Sequence, residues 1–286
     1  MNTLLEVLNK GAEYLTSRGV EDARRVMELL LTHILHCDRL TLYLKHDEIL
    51  TEDQLTPLRA LMKRKSDGEP LQHILGYTEF MGRSFRSDKR ALIPRPETEE
   101  LVEIVLKRLP KDRPLRILDM GTGSGVIGIT LALELGGNAD ITLVDISEDA
   151  LSLALENALS LKVKVNSLKG DLFSAFAEQD DMPSFDAIVA NLPYISLEEA
   201  SDLSREVHND PSTALYGGKQ GDELINRFLE QAPIYLAPDA FVALEIGWDQ
   251  ADRVSQKMTD LGYSRIEVLS DMAGIRRFPL AFSPTY

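Results

Sequence analysis

Apolar residues recur every three or four positions at the start of the chain, at Leu4, Leu5, Leu8, Ala12 and Leu15. That is the spacing of one helix face, and Gly19 is placed to stop it. The period returns at Ala23, Val26, Leu29, Leu30 and Ile34. A third stretch, TEDQLTPLRALMKRKSDG, opens on a capping box of Thr51 with Gln54 and runs out near Gly68. These stripes predict a small helical bundle over residues 1–75. The pattern then changes. Phe80 and Phe85, set among Gly76 and Gly82, predict a short hairpin. IPRPETEE reads as a stiff loop in which Thr98 or Glu97 caps the next helix. From Leu115 onward, short apolar runs alternate with helical patterns. RILDMG, DITLVDIS, FDAIVAN, FVALEIG and RIEVLSD read as strands, and VIGITLALEL and EDALSLALENALS as helices. The alternation predicts an α/β fold with a mostly parallel sheet and helices on both faces. The expected divisions are a helical domain over 1–75, a hairpin linker over 76–92 and an α/β domain over 93–286.

Composition narrows the classes. The 286 residues are 44% hydrophobic and 27% charged, ordinary for a soluble globular protein. No apolar run nears the ~20 residues that span a bilayer. The first residues carry acidic side chains and no cleavable signal pattern, and the single cysteine, Cys37, allows no internal disulfide. A cytoplasmic protein without a membrane partner is expected. The net charge of −15 weighs against nucleic acid as the main partner, since nucleic-acid binders meet phosphates with basic surface. His33, His36 and Cys37 invite a metal reading, but they sit on a helical stripe with no second ligand group, which favours packing. No metal is expected.

ILDMGTGSGVIGI is a strand, a glycine turn and a helix. Small residues there let a ligand approach the backbone, and the helix start offers free N–H groups. Gly123-Ser124-Gly125-Val126-Ile127-Gly128 matches a dinucleotide fingerprint, and Asp145, about 20 residues on, suits a carboxylate that accepts from ribose hydroxyls. In another register, Asp119 precedes Gly121, Gly123 and Gly125, with Thr122 and Ser124 between them. That register resembles motif I of the class I S-adenosylmethionine-dependent methyltransferases. The resemblance implies a turn lying under the methionine part of the cofactor. The glycine turn alone leaves both cofactors open.

ANLPYIS follows the FDAIV strand at the edge of the sheet where open α/β folds bind ligands. A planar amide nitrogen is a poor nucleophile because its lone pair is delocalised. Two acceptors aimed at its N–H bonds can turn that lone pair towards an electrophilic methyl. The Asn191 side-chain oxygen can be one acceptor and the Leu192 carbonyl the other. Pro193 stiffens the turn, and Tyr194 offers a flat face to a planar group. Leu192 itself is expected to contribute mainly its backbone. With the glycine turn and Asp145 upstream, Asn191 to Tyr194 resemble the N-methyltransferases that carry an Asn/Asp-Pro-Pro-Tyr tetrapeptide, with Leu192 in place of the first proline.

LQHILGYTEFMGRSFRSDKRALIPRPETEELVE, and IPRPETE above all, is similar to the linker of the HemK/PrmC family, the peptide chain release factor glutamine methyltransferases. DPSTALYGGKQGDEL, LEIGWDQ and DMAGIRRF also resemble family patterns. The likeness covers nearly the whole chain, strongly in the linker and catalytic domain and weakly in the helical domain. Asp210 stands where the family often has glutamate. The resemblance implies a class I methyltransferase fold, with a seven-strand Rossmann-like sheet and a helical N-terminal domain that holds the protein substrate. It implies methyl transfer from S-adenosylmethionine, leaving S-adenosylhomocysteine, to the glutamine N5 in the Gly-Gly-Gln loop of class I release factors. Carried over by residue, Asp119, Gly121, Thr122, Gly123, Ser124, Gly125 and Asp145 hold the cofactor. Asp171 and Leu172 border the adenine. Asn191, Leu192, Pro193 and Tyr194 hold the glutamine, with Asn191, Pro193 and Tyr194 as the catalytic residues and Asn191 also touching the cofactor, and Arg95 and Glu97 line the site. A monomer is expected, His73 and His208 are structural, and no general base is needed before transfer. The alternatives are an adenine-N6 nucleic-acid methyltransferase, a nucleotide-dependent dehydrogenase that leaves NLPY without a role, and a silent binding module.

Overall fold

A computed structural model describes residues 3–177, 182–199 and 209–284. Chain contacts divide it into two units, Met1–Tyr77 with Ser204–Asn209, and Thr78–Leu203 with Asp210–Tyr286.

The first unit holds helices α1 (Leu4–Ser17), α2 (Ala23–Leu35), α3 (Arg39–Leu44), α4 (Glu52–Ser66) and α5 (Leu71–Leu75). Its core takes Leu4, Leu8, Leu15, Ala23, Val26 and Leu30 from the predicted stripes and adds Met27, Leu31 and Leu58, whereas Leu5 of the first stripe is exposed. Gly19 closes α1 in the left-handed region at φ 80°, a conformation costly for residues with a Cβ. At α4, Gln54 Oε1 accepts the Thr51 backbone N–H at 3.0 Å, half of the predicted capping box. No helix among the described residues is long and apolar enough to cross a membrane.

The hairpin β1 (Tyr77–Phe80) and β2 (Arg83–Arg86) belongs to the second unit from Thr78 on. Phe80 and Phe85 meet edge to face, with ring centroids 6.0 Å apart, and both are buried. Such a pair adds about 0.5–1.5 kcal/mol beyond its burial. Helix α6 (Pro96–Arg108) follows, and its start departs from expectation. Arg95 is the N-cap, extended at φ −101° and ψ 152°, and Pro96, whose ring already fixes a helical φ, opens the first turn. Neither Glu97 nor Thr98 caps the helix, and the Thr98 hydroxyl is committed elsewhere.

Next come β3 (Leu115–Met120), α7 (Val126–Glu134), β4 (Ala139–Asp145), α8 (Glu148–Ser160), β5 (Asn166–Lys169), β6 (Phe185–Asn191) and the short β7 (Ile195–Ser196). After them come β8 (Tyr216–Gly218), α9 (Glu223–Gln231), β9 (Leu236–Glu245), α10 (Ala251–Asp260), β10 (Ser264–Ser270) and β11 (Arg276–Phe282). Seven strands form one sheet in the order β10-β11-β9-β6-β3-β4-β5. The β9-β6-β3-β4-β5 pairs are parallel, and β11 runs antiparallel to β9 and β10. Side chains alternate between the faces. Ile117, Ile141, Ala187, Val189 and Ala243 pack with α6, α7 and α8. Leu118, Met120, Ile188, Ala190 and Leu244 pack with α9 and α10. From β3 the chain builds outward through β4 and β5, then returns to place β6 on the other side. The reversal point of an open α/β sheet, at the carboxyl ends of its strands, is where a ligand crevice forms.

Candidate active site

The glycine turn and the NLPY turn leave neighbouring strands at that reversal point. Met120 of β3 pairs with Ala190 of β6, and Asn191 pairs with Glu245 of β9. The ends of β6, β3 and β4, at Asn191, Met120 and Asp145, open on one cavity of about 290 Å³, and Glu245 of β9 lies beside it.

On the β3 side, two carboxylates hold the turn. Asp119 Oδ2 accepts the Thr122 hydroxyl at 2.6 Å and the Gly128 N–H, from the first turn of α7, at 2.9 Å. Asp145 Oδ2 accepts the Gly123 N–H at 2.9 Å, and its Oδ1 accepts the Ser147 N–H at 2.9 Å. Burial is the main cause that pushes Asp119 up to about 6, opposed by its two donors. Burial also raises Asp145, against its own backbone N–H bonds. Gly128 is needed for close packing, because a Cβ there would lie 2.4 Å from Leu143 Cδ2. Gly121 is needed twice over. Its φ is 71°, and a Cβ would lie 2.8 Å from Leu192 Cδ2.

That contact corrects the expectation for Leu192. Its side chain is 3% exposed and belongs to the core below the turn, so it contributes packing as well as backbone. The NLPY turn is also cradled from outside. Gln250 Nε2 donates to the Tyr194 carbonyl at 2.9 Å, while Gln250 Oε1 accepts the Gly247 N–H at 2.9 Å. Backbone of the YGGKQG loop lies so near that a Cβ on Gly217 would sit 2.4 Å from the Pro193 carbonyl. The LEIGWDQ and YGGKQGDEL motifs thus serve the turn's backbone.

On the β9 side, Asn191 Nδ2 donates to Thr98 Oγ1 at 3.1 Å, and Thr98 Oγ1 donates to Glu245 Oε2 at 2.7 Å. Glu245 is 2% exposed. Burial foremost raises its carboxyl to about 7. Burial, then the charge of Glu245, pushes the Tyr194 phenol up.

Among the predicted residues, the cavity is lined by residues 121–124, Asp145, Asp171 and Leu172 on the side of β3 to β5, and by Asn191, Leu192, Pro193 and Arg95 on the other. Leu172 is in the left-handed region at φ 53°. Four predicted residues are not in the lining. Asp119 lies under the turn with no exposed surface, and Gly125 begins α7 against Ala154. Tyr194 packs against the core that α9 and α10 cover, and Glu97 lies on α6 near Glu245. His208 lies outside the described residues. Thr98 lines the cavity and Glu245 supports it from below, and neither was expected. The signal for Glu245 was a lone carboxylate closing an otherwise apolar strand. Each arginine of the lining is held by a carboxylate: Arg90 by Asp88 and Glu156, Arg95 by Asp210, Arg227 by Asp171. Among the described residues no group of three or more His, Cys, Asp or Glu side chains is arranged to hold a metal ion.

The sheet is that of a class I methyltransferase. Residues 111–236 match a methyltransferase domain model, and a crystal structure of a methyltransferase from Pyrococcus furiosus is similar with a TM-score of 0.53 at 21% identity, covering 72% of this chain and 91% of that one. Residues 6–76 match the PrmC N-terminal domain. Release factor glutamine methyltransferase of Koribacter versatilis is 37% identical over 284 residues, 99% of each chain. The enzyme of the same description from Escherichia coli is 38% identical over 261 residues, 91% of this chain and 92% of its own. The chain belongs to the release factor glutamine methyltransferase family.

Proposed function

We propose that this chain transfers a methyl group from S-adenosylmethionine to the side-chain N5 of the glutamine in the Gly-Gly-Gln loop of class I release factors. The observation that carries the reading is the meeting of three features, the glycine turn, Asp145 and the NLPY turn, on one cavity. The lining suits this cofactor. Asp145 keeps acceptor capacity beyond its backbone bonds, since a carboxylate offers about four acceptor sites, and this faces the ribose hydroxyls. Ile146, which is 56% exposed, and Leu172 supply apolar surface for a flat base. A dinucleotide fits less well, because every lining arginine is already paired and a dehydrogenase gives the NLPY turn no task. The bound cofactor supplies a methyl group activated by a sulfonium.

The chain's own contribution is position. Asn191 Oδ1 and the Leu192 carbonyl accept the two N–H bonds of the target amide, which leaves its lone pair aimed along the cavity. Pro193 holds the turn rigid, and Gln250 anchors it through the Tyr194 carbonyl. Orientation of this kind supplies much of the rate when the electrophile is already activated. The amide proton is lost after transfer, so the reading needs no base. The glutamine side chain is small and common, so selection among proteins falls to surface away from the cavity, and the helical unit is assigned that grip. The protein acts as a cytoplasmic monomer on a protein, not on nucleic acid. Incubation with labelled S-adenosylmethionine and purified release factor, RNA and DNA in parallel tests this. Label on release factor alone is expected, and label on RNA or DNA contradicts it.

A further inference from the structure

LEIGWDQ places a glutamate, Glu245, at the end of a buried strand, and the reading above gives it no task. It is the in-register partner of Asn191 on adjacent parallel strands. Side chains in register point to the same face, here the face covered by α6, from which Thr98 reaches both residues. Burying a carboxylate is costly unless hydrogen bonds satisfy it. Thr98 and the Asn191 amide both bond it.

The direction of the chain matters. A hydroxyl has one proton. A carboxylate only accepts, so Thr98 must give its proton to Glu245 and meet Asn191 with a lone pair. Asn191 must then turn its NH₂ towards Thr98 and Glu245. Its oxygen is then the group left without a hydrogen-bond partner among the described residues. We propose that Thr98 and Glu245 are positioning residues that hold the Asn191 amide with its oxygen presented to the substrate, so that the side chain can accept from the target glutamine and cannot donate to it. The inference rests on the reading above, in which Asn191 Oδ1 is an acceptor for the target amide. A flipped Asn191 would present NH₂ to an NH₂, which is repulsive and misaims the nucleophile.

The same logic gives a pH response. The groups facing Glu245 are Glu97 and Thr98 of α6, Asn191 and Tyr194 at the end of β6, and Arg277 of β11. With burial leading and Glu97 adding to it, against Thr98, Arg277 and Asn191, the carboxyl titrates at about 7. When Glu245 is protonated it can donate to Thr98, Thr98 can then donate to Asn191, and the amide is free to turn over. The oriented form therefore requires the ionised carboxylate and is lost as pH falls through about 7.

The test measures kcat and KM on intact release factor from acid to alkaline pH for the wild type, Thr98→Val, Thr98→Ser, Glu245→Gln, Asn191→Ala and the double variant of Thr98→Val with Asn191→Ala. Calorimetry with S-adenosylmethionine runs alongside. Thr98→Val is expected to lower kcat roughly 10- to 100-fold, the scale of a misplaced reacting group, with cofactor affinity unchanged. Thr98→Ser restores most of the rate, and the double variant is no slower than Asn191→Ala. The wild-type kcat falls on the acid side around neutral pH, and Glu245→Gln, whose amide can both accept and donate, is slower and lacks that limb. Equal losses in Thr98→Val and Thr98→Ser, or an acid limb unchanged in Glu245→Gln, overturn the inference. So does wild-type kcat in both Thr98→Val and Glu245→Gln while Asn191→Ala is inactive, an outcome that leaves the role of Asn191 standing. Wild-type kcat in Asn191→Ala removes that role and the inference with it.

Discussion

Asp145 accepts the Gly123 backbone N–H at 2.9 Å, so the end of β4 and the glycine turn are tied by one carboxylate. Asp145→Ala removes this tie, the bond to the Ser147 N–H and the acceptor offered to ribose. Hydrogen bonds to a charged group are worth about 1.5–3 kcal/mol each. Affinity for S-adenosylmethionine is therefore expected to fall at least ~10-fold, with the far-ultraviolet circular dichroism of the wild type retained. Calorimetry checks it, and an unchanged dissociation constant would take Asp145 out of the site.

Leu192 fills the space beside Gly121. Leu192→Ala is expected to destabilise the protein by about 2–5 kcal/mol, as for other buried leucines. Leu192→Pro brings back the more usual tetrapeptide and keeps part of the apolar volume, so its loss should be the smaller. Urea unfolding midpoints rank the three proteins. A Leu192→Ala midpoint equal to the wild type would contradict the packing described.

Asp119 is buried without exposed surface, and its Oδ1 has no hydrogen-bond partner among the described residues. Its folded pKa of about 6 lies above the unfolded value, which is ~3.9. The folded protein holds this proton more tightly, so the group stabilises the fold fully below the unfolded pKa. That contribution is lost as pH rises through about 6. Asn at this position cannot titrate. The stability of Asp119→Asn relative to wild type should therefore rise between acid and alkaline pH by an amount on the order of 3 kcal/mol. Chemical unfolding at pH 4, 6 and 8 measures the difference, and a gap that does not change with pH would refute it.

The parts legible in the sequence were those with a local cause. Leu4, Leu8 and Leu15 share one side of α1 through spacing alone, and FDAIVAN reads as a central strand because its first six residues are all buried. The glycine turn shows itself through its need for left-handed backbone at Gly121, Gly123 and Gly125. Elements with mixed environments were hidden. β5, with the sequence NSLK, is half exposed along its length, and β11 carries Pro279, a residue that ordinarily argues against a sheet interior. The relay from Asn191 to Glu245 was invisible for another reason. Its middle member, Thr98, lies 93 residues from Asn191 and 147 from Glu245, so only the fold brings the three together. The start of α6 was misplaced because Thr98 looks like a cap, yet spends its hydroxyl on Glu245.

The helical unit carries none of the cavity residues. A protein beginning near Thr78 is expected to bind S-adenosylmethionine as the whole chain does and to methylate intact release factor poorly. Its activity on a short Gly-Gly-Gln peptide, already low, should fall much less, because remote contacts help position only the full substrate. Comparing kcat/KM for both proteins on both substrates decides it. Equal losses on protein and peptide would mean that the helical unit only covers the second.

Tandem mass spectrometry of a class I release factor, after incubation with the chain and S-adenosylmethionine, locates the transferred methyl group. The expected product carries one methyl on the side-chain nitrogen of the Gly-Gly-Gln glutamine. Asn191→Ala should yield that product orders of magnitude more slowly while binding the cofactor normally, because its effect lies in the reacting geometry. A methyl group on another residue, or Asn191→Ala forming the same product at the wild-type single-turnover rate, would contradict the account.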